Sequence, residues 1–88
     1  MTYEEALSNL SSEISGWTSG PEKGTGESAI AVLSDDQSTQ GEKEEALDHL
    51  NDLYWDCSQI SDQESFGEDV YAVSYTVNPD QPYPKTRG

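Results

Sequence analysis

One histidine, one cysteine and eighteen carboxylates are the side chains of this 88-residue chain that could do acid–base, nucleophilic or metal chemistry. A thiol nucleophile needs a base within hydrogen-bond reach. His49 and Cys57 lie in one stretch with helical patterning, about 12 Å apart along its axis, so they do not pair on that helix. His49 reads instead as a surface residue one turn from Glu45, and Cys57 as a small residue on the apolar stripe. The carboxylates are abundant, but no spacing singles out two of them as a general acid and base. Asp62, Glu64, Gly67 and Glu68 echo a calcium loop, yet Val73 stands where such a loop needs its bidentate glutamate. Gly24-Thr25-Gly26 lacks the Gly-Lys-Ser/Thr continuation of a phosphate-binding loop, and its flanks are acidic. A non-enzymatic protein is expected, with no catalytic residue, no dedicated metal site and no cofactor.

The carboxylates act together as a field. The net charge is −14 at pH 7, with four Lys and Arg in all. From Glu44 to Pro84 there is no Lys or Arg, while Glu44, Glu45, Asp48, Asp52, Asp56, Asp62, Glu64, Glu68, Asp69 and Asp80 run through the segment. In a helix Glu45, Asp48, Asp52 and Asp56 fall at i, i+3, i+7 and i+11 and form one row, with neighbours about 5–6 Å apart. Phosphates recur every ~3.4 Å of rise along a DNA strand, a spacing of the same order. A row of this kind suits a groove lined with Lys and Arg, and it repels nucleic acid itself. The competing reading is a solvated face, including the Lys-poor surface of a halophilic protein. Against it, a helix under no other constraint would intersperse Lys for i,i+4 pairing, and the like charges here cost stability. Trp55 points away from the apolar stripe and lies beside the acidic row; it is either covered by the 62–69 segment or the tail, or it is a binding anchor.

These residues must be carried by a small set of elements. The central one is the stretch 40–60, QGEKEEALDHLNDLYWDCSQI, whose Ala46, Leu47, Leu50, Leu53, Tyr54, Cys57 and Ile60 follow helical spacing. Thr2 and Glu5 match a capping box, so a first helix starts at Tyr3 and presents Tyr3, Ala6, Leu7, Leu10, Ile14 and Trp17, with Gly16 or Gly20 as its stop signal. Residues 18–27, TSGPEKGTGE, read as a flexible connection. SAIAVLS, 28–34, is a short apolar run that is either a buried strand or a helix capped by Ser28; its Ile and Val favour the strand. Residues 61–69 read as an acidic loop with Phe66. VYAVSYTV, 70–77, reads as a strand with Tyr71, Val73, Tyr75 and Val77 on one face. The tail, 79–88, reads as extended and mobile.

The expected architecture is therefore a single α+β domain over 1–78, two amphipathic helices packed on a short antiparallel sheet, followed by a flexible tail over 79–88. The alternative is a mainly α bundle with one C-terminal strand or hairpin. The 32% hydrophobic content leaves room for one modest core. No run approaches the roughly 18 apolar residues of a membrane span. The opening MTYEEAL lacks the basic and apolar regions of a signal peptide. A cytosolic protein without membrane association is expected, as a monomer or a homodimer.

In its size, its charge of −14, the acidic helix GEKEEALDHLNDLYWD and the accompanying short strand, the chain resembles the small acidic phage-encoded anti-defence inhibitors of the anti-CRISPR and DNA-mimic type. That resemblance implies an inhibitor that binds a basic nucleic-acid-handling protein or complex, a CRISPR effector among them, in the cytoplasm of the host cell. It would block the DNA site or the assembly of its target, and it would not bind nucleic acid directly. The contact surface it implies comprises the acidic helix and the 62–69 segment: Glu44, Glu45, Asp48, Asp52, Trp55, Asp56, Asp62, Glu64, Glu68 and Asp69. The other class of function is a structural or assembly adaptor associating through Trp55, Phe66 and Tyr71.

Overall fold

Side chains that satisfy orphan backbone groups start three of the helices. Thr2 Oγ accepts from the Glu5 N–H and the Glu5 carboxylate accepts from the Thr2 N–H, each at 3.1 Å, opening α1 at Tyr3–Ser15. The same reciprocal box, Thr39 with Glu42, opens α3 at Gln40–Asp56. Asp62 accepts from the Ser65 N–H and opens α4 at Gln63–Val77. The remaining helix, α2 at Pro21–Ser34, begins with proline at its first position, where the missing N–H costs nothing. The computed structural model describes residues 2–80 and 82–84.

Each helix packs against its neighbours in sequence, and α4 returns to α1, closing a ring of four. Contacts at the ends fix the directions. Tyr3 Oη donates to the Leu33 carbonyl at 2.6 Å, joining the start of α1 to the end of α2. Gln40 Nε2 donates to the Val77 carbonyl and Gln63 Nε2 to the Tyr54 carbonyl, both at 2.7 Å, which sets α3 and α4 antiparallel. The result is an up-down-up-down bundle with short connections.

The core gathers Leu7, Leu10 and Ile14 of α1, Ala29 and Leu33 of α2, Ala46, Leu47, Leu50 and Leu53 of α3, and Phe66, Val70 and Val73 of α4. Burying a leucine of this kind contributes about 1.5–3 kcal/mol. Trp17, just past α1, stacks on Phe66 at 6.0 Å and closes one end. Two glycines allow close approach: a Cβ on Gly26 would lie 2.9 Å from Ile14 Cδ1, and one on Gly67 would lie 2.6 Å from Tyr54 Cε1.

This overturns the expected α+β class, because the described residues hold four helices and no strand. Residues 28–34 are the second half of α2, which begins eight residues earlier than a helix capped by Ser28 would. Of the segment expected as a flexible connection, 18–27, residues 21–27 form the first half of that helix, so helix there tolerates Gly24 and Gly26 despite a cost of about 1 kcal/mol each, and 18–20 remain a connection. Residues 70–77 are helical as well, which also removes the C-terminal strand of the alternative architecture. The physical reason is the period of burial. Phe66, Val70 and Val73 are buried at i, i+4 and i+7, while Tyr71 and Tyr75 face solvent. The stretch expected as an acidic loop, 61–69, is for the most part the opening of α4.

Of the segment expected as a flexible tail, residues 81 and 85–88 lie outside the described residues. Tyr83 within it is 4% exposed. Its N–H donates to Ser74 Oγ at 2.8 Å, and its hydroxyl donates to the Asp48 carboxylate. The chain thus comes back across α3 and α4 after the last helix.

Candidate functional site

The core stripe of α3 dictates what its other side presents. With Ala46, Leu47, Leu50 and Leu53 turned inward, Glu45, Asp48, Asp52, Trp55 and Asp56 all lie on the solvent side. Over the 11 residues from Glu45 to Asp56 the row rises about 16 Å. Asp52 and Asp56 stand toward the C-terminus of α3, where the negative end of the helix dipole repels carboxylates, and no basic residue occupies the last turn. Glu44 is half-buried at the edge facing α4 and accepts weakly from Gln40 Nε2 at 3.5 Å.

On α4, Glu64, Gly67, Glu68, Tyr71 and Tyr75 share one stripe at i, i+3, i+4, i+7 and i+11. Glu64 and Glu68 are exposed, and the Tyr71 and Tyr75 rings stack at 6.1 Å with 28° between their planes. Tyr71 is 49% and Tyr75 56% exposed; together with Trp55, at 41%, they are the exposed large hydrophobic side chains among the described residues. Trp55 meets the Tyr54 ring edge-on at 5.0 Å. Between the two helices runs a groove of about 490 Å³ lined by Tyr54, Gln63, Glu64, Gly67, Glu68, Tyr71 and Pro84. The α3–α4 side is thus acidic and aromatic at once.

Two of the ten sequence-derived site residues are engaged elsewhere. Asp62 caps α4, and the Ser65 N–H and hydroxyl hold its carboxyl below the ordinary aspartate range. Asp69 turns inward, 7% exposed, and accepts from Asn9 Nδ2 of α1 at 3.3 Å. Burial pushes its carboxyl upward, Asn9 pulls it down by less, and the Glu68 charge adds to the rise. A third, Asp48, remains on the row but also holds Tyr83 in place. Burial, then the hydrogen bond to Asp48 and its charge, push the Tyr83 phenol well above its ordinary range.

A second groove, about 670 Å³ between α1 and α4, is lined by Glu13, Asp62, Glu68 and Asp69 among others. Three of these carboxylates are already used inside the protein. Glu13 accepts from Trp17 Nε1 at 2.9 Å, from the Ser61 hydroxyl at 2.6 Å and from the Ser61 N–H at 3.2 Å. Burial acts to raise the Glu13 carboxyl, but these donors outweigh it and the net shift is downward. This groove reads as a stitch between the 57–62 connection and α1. Gln59 extends it by accepting from the Thr18 N–H at 2.6 Å and donating to Glu22 at 2.8 Å.

His49 is exposed on α3 beside Glu45, on the side facing α2, where both line a small groove with Ser28 and Val32. Cys57 is the half-buried C-cap of α3, and burial raises its thiol above the ordinary range, which lowers its thiolate fraction. Among the described residues no group of three or more His, Cys, Asp or Glu side chains is placed to hold a metal ion. Among the same residues no helix is long and apolar enough to cross a membrane. Phe66, expected as a surface aromatic in the adaptor reading, is 2% exposed and belongs to the core.

Tyr75, exposed on α4, and Tyr83, buried against Ser74 and Asp48, are residues of this face that the sequence pattern does not single out. The i,i+4 pair Tyr71 and Tyr75 was visible in the sequence, but a strand reading put both on the same face as Val73 and Val77. The chain matches no protein-family model, no curated protein and no solved structure.

Proposed function

We propose that this protein acts by binding, as an acidic inhibitor that occupies a basic nucleic-acid-handling surface of a partner protein. A CRISPR effector or another anti-phage complex of the host cytoplasm is the class of target. The observation that carries the reading is the solvent face of α3. Glu45, Asp48, Asp52 and Asp56 form a row on a well-anchored helix, Glu64 and Glu68 extend it on α4, and no Lys or Arg occurs between Glu44 and Pro84. A row at about 5–6 Å intervals meets the same Lys and Arg side chains that a phosphate backbone would. Carboxylates kept close together, and toward the wrong end of a helix dipole, lower the stability of α3, a cost that a binding role accounts for.

The test is capture from a host lysate on the immobilised protein, followed by elution with salt steps or with duplex DNA. The reading expects a DNA- or RNA-binding protein that leaves the column at raised salt and with competing DNA. It also expects capture to fail for the Glu45→Lys/Asp52→Lys double variant. These two positions leave the Asp48 bond to Tyr83 intact, so lost binding is separable from lost packing. Undiminished capture by the double variant rejects the mimic mechanism.

The exposure of Trp55, Tyr71 and Tyr75 favours a second reading, an assembly adaptor that associates through aromatic surface. That reading expects a partner retained through high salt and lost in Trp55→Ala.

A further inference from the structure

The groove between α3 and α4 combines two features that a phosphate mimic alone does not require. Its floor is made by the absence of a side chain at Gly67, where a Cβ would lie 2.6 Å from Tyr54 Cε1, so the Tyr54 ring lies against α4. Its rim sets Glu64 and Glu68 one turn apart, followed by Tyr71 one turn further along the same stripe, with Tyr75 stacked on Tyr71. Lysine and arginine answer such a rim differently. An ammonium is a compact, strongly hydrated point charge, whereas a guanidinium is planar, stacks on aromatic faces and pairs bidentately with carboxylates. Half-exposed tyrosine rings beside exposed carboxylates offer a guanidinium both contacts in one place. An ammonium gains mainly the charge contact.

We propose that this groove is the docking site for an arginine-bearing segment of the partner, with a guanidinium stacked on Tyr71 and paired with Glu64 or Glu68. The proposal rests on the binding reading above and narrows it from basic surfaces in general to arginine in particular. The α3 row supplies long-range attraction for any cation, and the groove supplies the choice among cations. Charge complementarity decides the occupant: the surrounding segment from Glu44 to Pro84 carries no cation of its own.

The experiment is a calorimetric titration of the 88-residue chain at low salt with hexa-arginine amide and with hexa-lysine amide. The expected result is tighter binding of the arginine peptide by about five-fold. The Tyr71→Leu/Tyr75→Leu variant, which changes two exposed side chains and keeps good helix formers, should bring the two affinities together. The Glu45→Lys/Asp52→Lys variant should weaken both peptides alike and keep their ratio. Equal affinities in the wild type overturn the proposal, as does an arginine preference that survives loss of both tyrosines, or no binding of either peptide. Helical circular dichroism of each variant guards against misfolding, and Tyr71→Phe, which keeps the ring, should retain the preference. An arginine preference without any nucleic-acid-handling partner in the lysate would remove the functional reading and leave the groove assignment standing. A salt-sensitive partner without an arginine preference would do the reverse.

Discussion

Tyr83 shows how much one residue ties down in this small protein. It fills the space above α3 and α4, and its hydroxyl is bound to Asp48, a member of the acidic row. Replacing it with Phe keeps the ring and removes a hydrogen bond to a charged group, and should cost about 1.5–3 kcal/mol in a denaturant melt. Its phenol is raised in the folded state, so the folded protein holds that proton more tightly than the unfolded chain. Stability is therefore retained below the ordinary phenol value of 10.0 and declines as pH rises above it. The carboxylates act in two directions. Asp69 is raised, so folding gains stability as pH falls toward its titration range, and the general repulsion of a −14 chain falls with it. Glu13 and Asp62 are lowered, so their contribution is present above the ordinary carboxylate range and is lost as they protonate below it. Thermal melts across pH should show a midpoint that rises from neutrality into mild acid and falls again below about pH 4. A midpoint that falls steadily from pH 7 downward would contradict these assignments.

At the scale of elements, the helices differ in how legible they were. α1 was readable because Thr2, Glu5 and a clean apolar stripe all agree, and α3 because Ala46, Leu47, Leu50, Leu53 and Tyr54 keep one period, although the last two positions of the expected stripe, Cys57 and Ile60, lie past the end of the helix at Asp56. The box that starts α3, Thr39 with Glu42, is an equally local signal, and Thr39→Ala should cost about 1 kcal/mol. α4 misled because the window 70–77 is rich in β-branched and aromatic residues, and eight residues cannot separate a period of 2 from one of 3.6. Extending the window back to Phe66, and seeing Asp62 as a cap for Ser65, recovers the helix. α2 gave the weakest signal: two glycines within it argue locally for a loop, and only packing against α1, where Gly26 admits Ile14, explains the helix. Site residues were legible where they depend only on helical phase, as Glu45, Asp52 and Trp55 do. Asp69 was not, because its inward turn depends on α1 standing opposite. α3 also carries a trade-off. Asp52→Lys relieves repulsion from Asp48 and Asp56 and suits the C-terminal half of the helix dipole. It should stabilise the protein by about 0.5 kcal/mol while weakening partner binding.

For the whole molecule, extents of 30 × 29 × 24 Å confine a charge of −14 to a small volume. Salt should therefore act on folding and on binding in opposite senses. Between about 10 and about 150 mM NaCl, screening of self-repulsion should raise the melting midpoint by roughly 5 °C. Over the same range it should weaken attachment to a basic partner. A bundle with a closed ring of helices holds the α3 row and the α4 stripe in fixed relation, so binding should proceed without a change in helix content.

The central claim, that the α3–α4 face takes the place of nucleic acid on its partner, is tested most directly by competition. The partner captured from lysate is loaded with fluorescent duplex DNA and titrated with the wild-type protein at several salt concentrations. The account predicts stoichiometric displacement of the DNA, with an affinity that falls steeply as salt rises and a loss of displacement in Glu45→Lys/Asp52→Lys. A ternary complex in which DNA and the protein remain bound together, with an affinity indifferent to salt, would contradict it.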